Sequence, residues 1–292
     1  MVNKPGTTLE STIPPTETAG IFPSTPAPEI FYPFGSAAGD TEHVETGGES
    51  HYSVSLSTPF PFFGNTYNQI YVNYNGLLTF NIPLLASEPF YNPTTGYEDF
   101  IAALWNDFDD YYSGVFSYQQ YTNGSVLARA TQDINQYFPQ KSFTASWVFV
   151  VTWKYGAQQN PVILFQAVLI SDGNLSFFLM NYGDCAELYG GVQAGYFTID
   201  STNDFAIPGA SNGNYRNLKS TSNVNLPGRW AFSANSQLES VIGVRMRLTS
   251  FSDLTQSGNI EAVLQKMQQK LVSYGLSNSI EIKLRKVQKT QP

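Results

Sequence analysis

The chain is 292 residues long, 42% hydrophobic and 15% aromatic, yet only 13% charged. That length allows one large domain or two small ones, and the apolar content is ample for a sizeable core. A formal charge of −8 argues against nucleic-acid backbones as partners. No run approaches the roughly 20 apolar residues of a membrane span, and the single cysteine, Cys185, excludes an internal disulfide.

Residues 1–28 are rich in Thr, Pro, Ser and Glu, with six prolines and almost no aromatic anchor. Such a segment cannot bury enough surface to offset its ordering entropy, so a disordered leader is expected. Its Thr/Ser/Pro composition fits either an O-glycosylated stalk or an unmodified tail. The opening residues lack the apolar stretch of a secretory signal. Either the chain is cytosolic or its natural start lies upstream.

From residue 29 to 236 the pattern is β throughout. In Asn68–Phe80, Ile70 and Val72 alternate with Tyr71 and Asn73, Asn75-Gly76 supplies a turn, and Leu77, Leu78 and Phe80 resume. That is a hairpin signature. In the run from Ser146 to Trp153, Trp147, Phe149 and Val151 face one way and Val148, Val150 and Thr152 the other. Both sets are apolar or β-branched, so a central strand covered on both faces is expected. Val162–Ser171 and Leu175–Met180 flank Asp172-Gly173-Asn174 as a second hairpin. Gly190–Phe197 and Arg229–Phe232 read as further short strands. No amphipathic helix is expected before residue 255 beyond a short helical turn within Ala130–Tyr137. Many short strands separated by turns predict a mainly β fold: a large antiparallel β-sandwich-like domain.

The tail, residues 240–292, changes character. Residues 1–240 hold 7 Lys+Arg against 20 Asp+Glu, whereas residues 241–292 hold 8 against 3. Val241–Leu248 alternates as a half-buried strand. Ile260, Val263, Leu264, Met267 and Leu271 predict a helix over 257–274, with Gly275 as its stop. Ser279–Val287 alternates again. This small C-terminal β-α-β appendix is too small for its own core. It must dock on the β domain, pair with another chain or self-associate. Its basic face reads first as a solvated face complementing the acidic β domain, and second as a patch for a sulfated glycan or anionic surface.

Several strings occur in order between residues 31 and 232: FYPFG (Phe31–Gly35) with Gly39-Asp40, FFG (Phe62–Gly64), IYVNYNGLLTFN (Ile70–Asn81), FIAALWNDFD (Phe100–Asp109), ASWVFVVTW (Ala145–Trp153), FQAVLISDG (Phe165–Gly173), GGVQAGYF and LPGRWAF. Singly they are weak. In this order and spacing they resemble the nidogen-like (NIDO) domain. The resemblance implies an extracellular, secreted and non-catalytic role in cell–matrix adhesion or matrix assembly, with matrix or cell-surface proteins as partners.

Candidate chemistry is sparse. Asp107, Asp109 and Asp110, with Glu98 and Asp99, supply carboxylates near one turn, so the trio is a candidate calcium site. The EF-hand order is absent, and ordinary turn acids are the plainer reading. His43 and His51 lie among Glu42, Glu45 and Glu49 at no standard zinc spacing and read as loop residues. No nucleophile elbow, phosphate loop or separated carboxylate pair is evident, so an enzyme is not expected. Asn123-Gly-Ser and Asn174-Leu-Ser are N-glycosylation acceptors at predicted turns. Cys185 reads as a small buried hydrophobe or, if exposed, an intermolecular bridge. The competing function is a calcium-assisted carbohydrate-binding sandwich, with Tyr111, Tyr112, Tyr118 and Tyr121 as glycan platforms and Asp107 or Asp109 assisting.

Overall fold

Three long apolar strands set the architecture. β7 (Trp147–Gly156), β8 (Val162–Ser171) and β9 (Ser176–Tyr182) pair antiparallel in unbroken register. Their side chains alternate between two apolar faces, so they need cover on both sides. The structure, a computed structural model, describes residues 29–44, 51–84, 89, 98–108, 112–156, 162–199, 203–235, 257–273 and 282.

The other strands among the described residues are β1 (Thr41–Val44), β2 (His51–Phe62), β3 (Asn65–Asn73), β4 (Leu77–Thr79), β5 (Phe100–Trp105), β6 (Ser113–Tyr121), β10 (Gln193–Phe197), β11 (Phe205–Ala206) and β12 (Arg229–Ser233). They form two six-stranded sheets. Sheet A runs β1-β6-β7-β8-β9-β12, and sheet B runs β11-β10-β5-β4-β3-β2. Every pairing in both is antiparallel. The expected sandwich is therefore present.

Between the sheets lies an aromatic core. Trp147, Phe149, Trp153, Phe165 and Phe178 from sheet A meet Ile70, Val72, Leu78, Ile101 and Tyr196 from sheet B. Trp153 and Phe165 stack at 5.1 Å between ring centroids, as do Phe108 and Tyr155 at 4.3 Å. Indole and phenol groups need partners when buried. Trp153 Nε1 donates to the Asn73 carbonyl at 2.9 Å, and the Tyr155 hydroxyl donates to the Tyr74 carbonyl.

The other face of sheet A is covered by α1 (Ser125–Tyr137). Val126, Ala130 and Ile134 recur every four residues and pack on Val148, Val150, Val168, Ile170, Phe177 and Leu179. Thus α1 is a full helix of 13 residues, not the short turn expected. Its apolar stripe is three residues of modest size, too thin to stand out as an amphipathic period. The two-faced apolarity of β7 implied such cover, and α1 supplies it.

Turn chemistry fixes the register. Phe63 (φ 44°) and Gly64 (φ 98°) are both left-handed, as a two-residue type I′ turn requires between Phe62 and Asn65. Gly76 has φ +84°, and a Cβ there would sit 2.0 Å from the Leu104 carbonyl oxygen, so only glycine fits. In the β8–β9 turn, Asp172 Oδ1 accepts from the backbone N–H groups of Asn174 (2.8 Å) and Leu175 (2.6 Å). β2, an edge strand, carries Pro59 and Pro61, which cannot donate to a further strand.

In the tail, α2 (Ser257–Ser273) coincides with the helix expected there. The two strands expected beside it, and the leader 1–28, fall outside the described residues.

Replacing Ile134 by Ala should remove the largest apolar contact of α1 while leaving the sandwich core intact. About 2–4 kcal/mol of stability should be lost, measured by urea unfolding. A change indistinguishable from zero would mean that α1 does not cover a load-carrying face.

Candidate functional site

The polar chemistry of the fold concentrates on the outer face of sheet A, beside α1. Ser117, Thr152, Gln166, Asn181 and Arg229 stand directly opposite one another on β6, β7, β8, β9 and β12. All five are buried. Gln166 Nε2 donates to Thr152 Oγ1 at 2.8 Å, Asn181 Nδ2 to Gln166 Oε1 at 3.0 Å, and Arg229 Nε to Asn181 Oδ1 at 2.9 Å.

Residues 29–40 lie over this rank as a strap. Gln166 clamps Tyr32 at both ends: its Oε1 accepts the Tyr32 N–H (2.8 Å) and its Nε2 donates to the Tyr32 carbonyl (3.1 Å). Asp40 Oδ2 accepts from Ser117 Oγ (2.7 Å) and the Gly35 N–H (2.8 Å). Arg229 donates to the Ile30 carbonyl, and Arg129 of α1 donates to the carbonyls of Glu29, Ile30 and Phe31. The Arg129 guanidinium also lies 4.3 Å above the Tyr32 ring.

One carboxylate joins strap, helix and sheet. Asp133 Oδ2 accepts from Arg229 at 2.7 Å and from the Tyr32 hydroxyl at 2.8 Å. Burial first, then the Asp133 charge, pushes the Tyr32 hydroxyl far above its ordinary pKa, so it remains a donor. The sheet residues of this constellation and Tyr32 are buried, Asp40, Arg129 and Asp133 are partly exposed, and the groups satisfy one another. The constellation offers no open coordination position, and its chemistry is that of a latch.

The candidate site residues of the sequence lie away from this latch, and part of the set falls outside the described residues. Asp107 is buried at the end of β5. Its neighbours Asp109 and Asp110 fall outside the described residues. Among the described residues no group of three or more His, Cys, Asp or Glu side chains is placed to hold a metal. His43 and His51 are strand residues, not loop residues. His43 lies 3.9 Å from Tyr52 and 5.0 Å from Phe116 between ring centroids, and burial lowers its pKa. His51 meets the edge of Tyr71 on β3.

Of the four candidate glycan platforms, Tyr111 lies outside the described residues. Tyr112 is buried, with its hydroxyl donating to the Glu187 carbonyl. Tyr118 packs against the inter-sheet core, whereas Tyr121 packs on the helix-covered face. Cys185 is half-buried against the core edge, and burial pushes its thiol up to about 12. Asn123 and Asn174 are both exposed in turns.

A second pair of carboxylates, which the turn reading treats as ordinary, is buried on sheet B. Asp99 accepts from Asn65 Nδ2, the Tyr67 hydroxyl and the Ile199 N–H. Glu98 Oε1 accepts from the N–H groups of Asn81 (2.7 Å) and Ile82 (3.3 Å), but its Oε2 is buried without a partner. Burial raises the Glu98 pKa, against the lowering effect of those two N–H groups.

An aromatic-cored, two-sheet antiparallel sandwich, latched by a strap and backed by one helix, is therefore the class this chain defines. The chain belongs to the nidogen-like (NIDO) domain family, whose model matches residues 68–236. It is 38% identical to alpha-tectorin of Mus musculus over 229 residues, 72% of this chain and 10% of that protein. It is 37% identical to alpha-tectorin of Homo sapiens over the same length and shares. It is 27% identical to nidogen of Drosophila melanogaster over 221 residues, 69% of this chain and 16% of that protein. The chain thus spans about a tenth of the length of the alpha-tectorins it matches. No solved structure matches it.

Three substitutions test this electrostatic account. Arg229→Met should cost about 2–4 kcal/mol, because it takes from the partly buried Asp133 its nearest cation and leaves Asn181 Oδ1 without its donor. Adding Asp133→Asn should recover part of that loss in urea titrations, and simple additivity of the two would refute the pairing. Glu98→Gln keeps an acceptor for Asn81 and Ile82 and removes the buried charge, so stability at pH 7 should rise by about 1 kcal/mol. A carboxyl whose pKa is raised on folding favours the folded state at low pH, and that advantage fades as pH rises through the folded value. The gain from Glu98→Gln should therefore shrink on acidification through the glutamate range. A gain that is the same at pH 4 and pH 7 would contradict the assignment.

Proposed function

We propose that this chain is an extracellular, matrix-associated recognition module that works by protein–protein contact and carries out no catalysis. The observation that carries the reading is its membership of the nidogen-like family over residues 68–236, shared with alpha-tectorins and nidogens. The arrangement of the described residues supports it. The buried polar groups of sheet A are spent on latching the strap, and the aromatic rings fill the space between sheets. What remains for partners is the loops at the two ends of the sandwich, held by a rigid scaffold. No described helix is long and apolar enough to cross a membrane.

One end has the composition of a contact rim. Tyr189 is 61% exposed there, beside two exposed ion pairs, Asp184–Lys219 at 2.8 Å and Glu187–Arg216 at 3.3 Å. Asn106 Nδ2 fixes this loop by donating to the carbonyls of Tyr189 and Gly191. Adhesion and matrix assembly both fit such a surface.

The folded chain should bind an immobilised extract of extracellular-matrix proteins saturably, and heat-unfolded chain should not. Tyr189→Ala should weaken that binding about tenfold if this rim holds a hot-spot aromatic, with the unfolding midpoint unchanged. Folded chain that shows no saturable binding would remove the proposal.

A further inference from the structure

Two sequence motifs remain unused by this reading: Asn123-Gly124-Ser125 and Asn174-Leu175-Ser176. The strand register brings them to one place. Tyr121, the last residue of β6, is opposite Val148; Trp147 is opposite Ser171; and Ser171 is opposite Ser176. The segment leaving β6 and the tight turn joining β8 to β9 therefore emerge from the same end of neighbouring strands. At roughly 4.8 Å per strand spacing, the two turns stand about 10–15 Å apart.

Both asparagines are exposed. Each adjoins or nearly adjoins a glycine in the left-handed region, Gly124 (φ +89°) and Gly173 (φ +96°), and a Cβ built on either glycine meets nothing within 4 Å. The turns thus project into open space, the setting a bulky modification needs.

We propose that Asn123 and Asn174 both carry N-linked oligosaccharides, and that this pair of glycans shields the corner of the sandwich where α1 meets the ends of β6–β9. The proposal rests on the extracellular reading, because the modification belongs to the secretory pathway. In each transfer the asparagine Nδ2 attacks the anomeric carbon of a lipid-diphosphate-linked oligosaccharide. A carbon–nitrogen bond forms, the carbon–oxygen bond to the diphosphate breaks, one amide proton passes to a base, and the lipid diphosphate leaves. Ser125 is exposed, but Ser176 is fully buried in β9. Asn174 must therefore be modified before β9 pairs, whereas Asn123 stays accessible in the folded chain.

The shielding has a reporter. The segment joining α1 to β7 lies at the same end, with Phe138 and Phe143 each 5.0 Å from Phe177 between ring centroids. Lys141 in that segment is exposed. Lys219 is exposed near the opposite end, beside Asp184.

The test is to express the chain behind a heterologous secretion leader in cultured animal cells and treat the secreted protein with a glycan-removing amidase. Two steps of mass should be lost. N123Q and N174Q should each abolish one step, and the double variant both. In limited acetylation read by mass spectrometry, Lys141 should react several-fold more slowly in the glycosylated protein than after amidase treatment, with Lys219 unchanged. Secreted folded chain with no amidase-sensitive mass, modification at one site alone, or equal labelling of Lys141 in both forms would overturn the proposal. The fused leader sets the compartment, so such a failure counts against the sites and not against the extracellular reading.

Discussion

A line of buried polar side chains across sheet A is the constraint on which the rest of the structure depends. Gln166 in mid-β8, Asn181 near the end of β9 and Arg229 at the start of β12 lie in mostly apolar strands, and each is nearly or fully buried. Burying an amide or guanidinium without partners costs several kcal/mol. The sheet alone cannot satisfy them: Thr152, Gln166 and Asn181 hydrogen-bond in series, but the series ends in an arginine whose charge needs a carboxylate. Asp133 of α1 supplies it, and the strap supplies the remaining acceptors and donors. The rank therefore dictates that both α1 and residues 29–40 be docked. An apolar outer face would have accepted any greasy cover in several positions, whereas a satisfied polar row accepts one.

That specificity complements the core beneath it. The inter-sheet layer is built from stacked rings, whose attraction is large in area but tolerant in orientation. Such a layer fixes that the sheets pack, and less strictly how they slide. Register is set instead by directional devices: the type I′ turn at Phe63-Gly64, the glycine at 76 under the Leu104 carbonyl, and indole and phenol hydrogen bonds that cross between sheets, such as Trp153 to Asn73. Hydrophobic burial provides the bulk of the driving force, and a few oriented polar contacts select one arrangement from those it permits.

This division explains what could be read from the sequence. The strands β3, β4, β7, β8 and β9 were legible, because alternation and Asp-Gly or Asn-Gly turns are local signals. The double-faced apolarity of the Trp147–Thr152 run correctly implied cover on both sides. The covering helix was legible only as a turn, since Val126, Ala130 and Ile134 make a thin stripe among Thr, Gln and Asn. The latch was missed altogether: Arg229 read as part of a short strand, and Asp133 lies 96 residues away. A usable signal was present in Gln166 and Asn181 within apolar runs, because a buried polar residue in such a run demands a partner. The candidate site residues were less legible still. An acidic turn such as Asp107–Asp110 looks alike in sequence whether it holds a cation or merely ends a strand.

The latch also accounts for why one of the strings that carry the family resemblance, FYPFG with Gly39-Asp40, lies before the first strand. Phe31 and Tyr32 are buried, Gly35 (φ +80°) and Gly39 (φ +88°) take conformations that suit glycine, and Asp40 turns back to hold the Gly35 N–H and Ser117. Each of these residue types is explained by docking onto the polar rank, and none requires a ligand. The same holds for LPGRWAF, where Arg229 is the residue that reaches the strap, and for FQAVLISDG, which contributes Gln166. Strings distant in sequence are thus parts of one mechanical joint. Under the proposed reading, a fold that commits its most distinctive residues to such a joint leaves recognition to the loops, where sequence can vary without loosening the scaffold.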